Sequence, residues 1–261
     1  MDRFTYKITI EYNGAKYHGW QIQPGEITIQ EVVEKGLTVF CKEPIRAMCA
    51  GRTDAGVHAE GQVVSFHTAA QFDLETFLRA VNALTPRDIA VLDIERAPDR
   101  FDARRWAVSR SYRYTILNRT APTALKRGTV THVPRTLDID AMIEAAACLV
   151  GQHDFTSFRA SNCGAKTPVR TVTRSELVRC DDGYLEFYIT ANGFLKHMVR
   201  AIIGTLLEIG KGRRKASEMA TILEACDRTA AGPTAFAHGL SLIGVEYKRD
   251  DAGVLVFPWD N

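Results

Sequence analysis

The residues best suited to chemistry lie in 51-GRTDAGVHAEGQ-62. This stretch sets a cation (Arg52), a carboxylate (Asp54), a glycine (Gly56) and an imidazole (His58) within one short loop. Alone, D-A-G reads as a tight turn, because aspartate bonds its own backbone and glycine tolerates unusual dihedrals. The neighbours add a chemical reading. A guanidinium close to Asp54 favours the ionised carboxylate, which suits a nucleophile or a base rather than a general acid. Gly56 lets a substrate approach the backbone. Asp54 and His58 make a poor metal pair, since zinc needs three or four ligands. The other histidines (His18, His67, His132, His153, His197, His238) supply no ligand spacing.

Two further places stand out. In 110-RSYRY-114, Tyr112 and Tyr114 share one face of a strand. Such pairs usually pack in a core, yet the interleaved arginines also offer base stacking and phosphate contacts. In 195-LKHMVRAIIGTLLEIG-210, Leu195, Met198, Val199, Ile202, Ile203 and Leu206 form a buried stripe. Lys196, Arg200 and Gly204 recur every four residues beside it. Arg200 either snorkels at the helix edge or aims its charge along that stripe toward a carboxylate, with Gly204 leaving room one turn later.

The surrounding pattern predicts the elements that hold these residues. Phe4, Tyr6, Ile8, Ile10 and Tyr12 alternate with Thr5, Lys7, Thr9 and Glu11, a half-buried strand. A glycine- and aromatic-rich loop, 13–25, precedes a helix over 28–41, with a Thr28/Glu31 capping-box pattern. Short strands are expected at 45–50 and 61–68, a helix capped by Asp73 with Leu74, Phe77, Leu78, Val81 and Leu84 buried, and a strand at 88–97. Further on, strands fall at 111–118, 171–179, 184–190 and 240–247, and helices follow Asp138 and span 194–209 and 217–225. Strands are not regularly separated by crossover helices, so the fold class is α+β: a mixed or antiparallel sheet with flanking helices. The expected division is 1–104, carrying Asp54, and 105–261, carrying the tyrosines and Arg200.

Composition narrows the function. With 46% hydrophobic and 25% charged residues the chain is globular. It has no apolar run of the ~20 residues that a membrane span needs, and its start lacks the apolar core of a leader. A soluble cytoplasmic protein is the expectation. Six cysteines without a C-x-x-C pair read as free buried thiols. The net charge is only +2, but it is segregated. Residues 100–135 hold nine bases and one acid, Asp102; 71–99 hold six acids and three bases. A second basic cluster is 211-KGRRK-215. That arrangement is either a positive face for phosphates or a solvated surface answered by counter-charges. No phosphate-cradling glycine motif and no G-x-S-x-G elbow occurs.

Taken with 17-YHGWQIQ-23, 28-TIQ-30, 153-HDFTSFR-159, 196-KHMVRAIIGTLLEIGKG-212 and 236-FAHGLSLIGVEY-247, these motifs resemble the tRNA pseudouridine synthase A family over nearly the full length. The resemblance implies a pseudouridine-synthase-type fold of two similar halves around a central cleft. It implies Asp54 as the nucleophile, Arg200 as its orienting partner, Tyr112 stacking on the target uracil, and Arg52 replacing the extruded base. It further implies no cofactor, a homodimer, and tRNA as partner, with uridines 38, 39 and 40 of the anticodon stem-loop converted to pseudouridine. Asn13, Asp102 and Ala201 depart from the family pattern, where Asp, His and Asn are expected. Two other readings compete: an RNA-binding module, which needs Tyr112 and the basic face but not Asp54, and a carboxylate-dependent hydrolase, which needs a second acid such as Glu60 or Asp102.

Overall fold

Alternation along 4-FTYKITIEY-12 makes a strand, β1 (Phe4–Tyr12), that lies between β3 (His58–Thr68) and β4 (Ile89–Ala97), antiparallel to both. The computed structural model describes residues 3–258; Met1, Asp2 and residues 259–261, which the expected domain limits include, lie outside it. The chain forms two compact units, one of Met1–Arg110 with Leu242–Asn261 and one of Ser111–Ser241. Its path leaves the first unit within β5 (Ala107–Leu117) and returns within β10 (Leu240–Tyr247). Strands and helices mix in both units, an α+β fold with antiparallel pairs and a parallel pair.

In the first unit a short strand, β2 (Met48–Cys49), and β10 both pair with the edge of β3 away from β1. Helices α1 (Ile29–Cys41) and α2 (Leu74–Leu84) cover one sheet face through rings: Phe40 and Phe77 meet at 5.1 Å, Phe66 and Phe77 at 5.9 Å, and Tyr6 and Phe72 at 4.4 Å. Asp73 caps α2 through Thr76 N–H at 2.7 Å. Along α2 only Phe77 and Val81 are fully buried, and the end leucines Leu74 and Leu84 are exposed.

Two expectations change here. The second face of β1 is covered along its first half, at Thr5 and Lys7, while Glu11 stays exposed. Thr5 and Lys7 are buried because the chain after β4 and the chain after β10 pack on that side with Phe101, Ala103, Trp106, Leu255 and Tyr247. A buried ammonium needs a partner, and Lys7 has Glu95 at 2.6 Å. Secondly, Thr28 makes no capping bond, and its buried hydroxyl finds no partner among the described residues. The first N–H groups of α1 are taken instead by loop carbonyls: Ile29 donates to Gly19 and Gln30 to Trp20. The helix start is thereby tied to the 13–25 loop.

The second unit runs β5, β9 (Tyr184–Ala191), β8 (Val169–Arg179), β7 (Gly151–Asp154), with β6 (Thr131–His132) parallel to β5. Helix α3 (Ile139–Ala147), capped by Asp138, packs on β8, on α4 (Met198–Gly210) and on α5 (Glu218–Ala225). The helix α4 begins at Met198, later than periodicity suggests, because His197 takes the left-handed region at φ 63°. Burial on α4 goes well beyond one stripe: Ala201, Gly204, Thr205 and Ile209 are also buried. The cause is a strap, residues 230–236, laid along it. Gly232 N–H donates to Thr205 Oγ1 at 2.8 Å, and Ala235 N–H donates to the Arg200 carbonyl at 2.9 Å.

Gly204 is where this strap comes closest, since a Cβ there would run into the Pro233 carbonyl. Alanine at a helical glycine ordinarily adds up to about 1 kcal/mol. Here Gly204→Ala is expected to lower stability by about 1–3 kcal/mol, the usual cost of overpacking. Urea unfolding of the two proteins gives the sign directly.

Candidate active site

The loop holding Arg52 and Asp54 is bonded to its surroundings at almost every peptide. At its start, the buried Gln62 amide donates to Gly51 O at 2.6 Å and accepts Gly51 N–H at 3.4 Å. Thr53 O accepts Trp20 N–H at 3.1 Å, and the Thr53 hydroxyl shares a hydrogen bond with Tyr12 at 2.8 Å. Asp54 O accepts Val57 N–H at 3.1 Å, closing a four-residue turn. Gly56 takes φ +77° at the third position of that turn, where a positive φ favours glycine. Its N–H donates to Tyr17 O at 3.2 Å. So the turn reading of D-A-G holds, and the turn presents a half-buried Asp54 side chain. Arg52 stands exposed on the same loop.

Two glycines of the 13–20 segment allow this clamp. A Cβ on Gly14 would collide with the Val57 carbonyl, and one on Gly19, at φ +83°, would stand 2.7 Å from Thr53 O. Tyr17 anchors the segment from beneath by donating its hydroxyl to Asp88 at 2.7 Å; burial, then this bond, push its phenol well above the ordinary range. His58 is buried and its Nδ1 accepts Gly14 N–H at 3.1 Å, so the imidazole helps to hold the clamp. Arg110 closes the other side: its guanidinium donates to Ala50 O at 2.9 Å, Arg104 O at 2.6 Å and Ala107 O at 3.1 Å. Gln62, Tyr17 and Arg110 were not singled out as supports by sequence reasoning. For Gln62 and Arg110 the signal is polarity at positions that alternation places inside; Tyr17, in a loop, gives none.

In the second unit β5 carries the tyrosines. Tyr114 is wholly buried, with its hydroxyl bonded to Thr131 at 2.7 Å and donating to Phe236 O at 2.9 Å. Burial raises its phenol to about 12 against the lowering effects of Thr131 and the Arg200 charge. Tyr112, on the same face, is also largely buried and meets Phe194 edge-on at 5.0 Å. Arg200 on α4 is half-buried, and its Nε donates to Ala235 O at 2.9 Å. Gly204 does leave room beside Arg200, and the strap backbone uses that room.

The basic segments divide. Arg113 lies 3.6 Å from Glu186, Lys126 sits over the Tyr184 ring at 4.2 Å, and Lys211 and Arg213 both pair with Glu208. Arg104, Arg105 and Arg127 remain exposed. The cysteines also divide: all six are free thiols, but only Cys41 and Cys49 are buried. Burial pushes the Cys49 thiol up to about 12, which makes it inert. No helix is long and apolar enough to cross a membrane, and no group of three metal-ligating side chains occurs among the described residues.

The family model described as tRNA pseudouridine synthase matches residues 8–104 and 145–248, which include the clamped loop and all of α4. This chain belongs to that family. Proteins named tRNA pseudouridine synthase A are similar over most of its length. One from Aliivibrio salmonicida is 46% identical, covering 93% of this chain and 92% of that protein. One from Klebsiella pneumoniae (strain 342) is 47% identical over 94% and 90%. One from Escherichia coli (strain SMS-3-5 / SECEC) is 48% identical over 93% and 90%. The family is one of isomerases acting on tRNA, so the resemblance read from the motifs is confirmed.

Were Asp54 the reacting group, the Gly14–Val57 contact would have a kinetic consequence. Gly14→Ala must displace the Val57 carbonyl, and with it the Asp54 turn. Displacements of about 1 Å cost on the order of 100-fold in rate. The expected outcome is a fall of that order in kcat for pseudouridine formation, with tRNA affinity within about twofold of wild type. Single-turnover kinetics and filter binding check the two halves.

Proposed function

We propose that this protein isomerises uridines 38, 39 and 40 in the anticodon stem-loop of tRNA, with Asp54 as the nucleophile and the target base flipped out of the stem. The observation that carries this reading is the half-buried Asp54 on a turn whose neighbouring peptides are bonded to a second loop. A preorganised carboxylate is what such a reaction asks of a protein.

The chemistry is self-contained. The N1–C1′ bond breaks, the uracil turns, the C5–C1′ bond forms, C5 loses its hydrogen as a proton and N1 regains one. No electron or group donor enters. An ionised carboxylate serves by attacking C1′, by attacking the base, or by removing a ribose proton to give a glycal. The bond changes are the same in all three.

In this reading the other candidates take separate parts. Tyr112 stacks on the extruded uracil, and Arg200 pairs with Asp54 and orients it. Arg52, exposed beside Asp54, fills the space the base leaves. Flipping a base from a stem costs a few kcal/mol, and stacking together with phosphate contacts from Arg104, Arg105 and Arg127 offsets it. The protein works as a homodimer in the cytoplasm, so light scattering should give about twice the chain mass of 29.0 kDa.

The test uses unmodified tRNA transcripts with uridine at 38, 39 or 40, incubated with the wild-type chain and mapped for pseudouridine by mass spectrometry of fragments. Pseudouridine at these positions, in an unbroken RNA chain, is expected. Cleaved RNA would favour a hydrolase instead, and intact RNA with no pseudouridine at these positions would remove the proposal.

A further inference from the structure

The strap over α4 carries a group that the reaction above does not use. Phe236 is 68% exposed, although the backbone on either side of it is fixed. Ala235 exchanges two bonds with Arg200, giving its N–H to the Arg200 carbonyl and taking the Arg200 Nε on its own carbonyl, both at 2.9 Å. Phe236 O itself accepts the Tyr114 hydroxyl. Behind the ring, His238 is stacked at 5.5 Å with the planes inclined by 21°. Burial lowers the His238 imidazole below its ordinary range, so it is neutral near pH 7. An exposed aromatic ring on rigid backbone, already stacked on one side, has lost little freedom that binding would otherwise have to take away.

Charge on the strap has one sign. Three guanidiniums bind its carbonyls: Arg214 donates to Ala230 O at 2.8 Å, Arg228 to Gly232 O at 3.0 Å, and Arg200 to Ala235 O. Arg228 also reaches Thr234 Oγ1 at 3.1 Å. Two acids beside these guanidiniums are engaged. Glu218 is 3.9 Å from Arg214, and the Asp227 carboxylate takes the Thr229 N–H and hydroxyl at 2.8 and 2.6 Å. Arg228, held here by the neutral Gly232 carbonyl and Thr234 hydroxyl, is a cation suited to a phosphate partner. Cations flanking an exposed ring are the pattern that binds unpaired nucleotides, where the ring takes a base and the cations take phosphates.

We infer that the strap is an RNA-contacting element, in which Phe236 stacks on an unpaired base of the tRNA substrate and Arg228 contacts a flanking phosphate. This rests on the reading of the protein as a tRNA-modifying enzyme, and extends it by naming a specificity element outside the four candidate residues. Because the strap also fixes Arg200, a base seated on Phe236 would be held in register with that arginine.

Binding of full-length tRNA transcript to the full chain tests this independently of catalysis. Phe236→Ala should weaken binding about tenfold, Phe236→Trp should stay within about twofold, and Phe236→Leu should resemble alanine, since stacking needs a π-face. Thermal midpoints should be alike, because the side chain is exposed. Arg228→Gln should flatten the dependence of log affinity on log salt by about 0.7 to 0.9. Unchanged affinity in Phe236→Ala would overturn the inference. Leucine performing as well as tryptophan would also overturn it, and point to apolar packing against the RNA without stacking. An unchanged salt slope would overturn the phosphate contact. Should the wild type bind tRNA but form no pseudouridine, the catalytic reading fails while these binding comparisons still decide the strap.

Discussion

The first unit's site depends on one contact, the seating of residues 13–20 against residues 51–57. Each segment is poorly suited to hold a shape alone: both are rich in glycine, and their own bonds amount to a single short helical turn at Gly14–Lys16 and the Asp54 turn. Together they satisfy one another. Peptide groups of Trp20, Thr53, Tyr17 and Gly56 pair across the contact, and the start of α1 is consumed in the same network. Leaving such groups unpaired in a buried setting would cost roughly 1–3 kcal/mol each. The loop bearing Asp54 therefore owes its rigidity to a distant stretch of chain.

In the second unit the strap over α4 does comparable work. A helix with an arginine among apolar neighbours would ordinarily turn that residue to solvent. Here Gly204 and Gly232 let a second backbone lie flush on the helix, and its carbonyl at Ala235 takes the Arg200 Nε. The same backbone receives the Tyr114 hydroxyl. A helix cation and a strand tyrosine are tied to one short segment, which fixes their positions more firmly than rotamer preference alone.

Much of this was legible beforehand, for identifiable reasons. Alternation located β1 and β5, because side chains on a pleated strand change face at each residue. Asp73 and Asp138 announced their helices through local bonds that need no partner from elsewhere. What failed to show depended on distant chain. The capping box at Thr28 looked complete, but Gly19 and Trp20 supplied the bonds. The polar face of β1 looked exposed, but Phe101, Trp106 and Tyr247 cover its first half. The sequence around Asp54 suggested an acid and a base side by side, while His58 is a buried support. The roles expected of Asp54, Arg52, Tyr112 and Arg200 came from the resemblance, since spacing alone left other readings open for each.

The claim at the centre is that the clamped carboxylate of Asp54 is the reacting group. Unmodified tRNA labelled with tritium at uracil C5 tests it, because forming the C5–C1′ bond expels that hydrogen. Wild type and Asp54→Asn, an almost isosteric change that keeps the turn, are compared for label release and for tRNA binding. The account predicts release by the wild type, none by the variant, and equal binding by both. Release by Asp54→Asn at the wild-type rate would contradict it and move the chemistry to another residue.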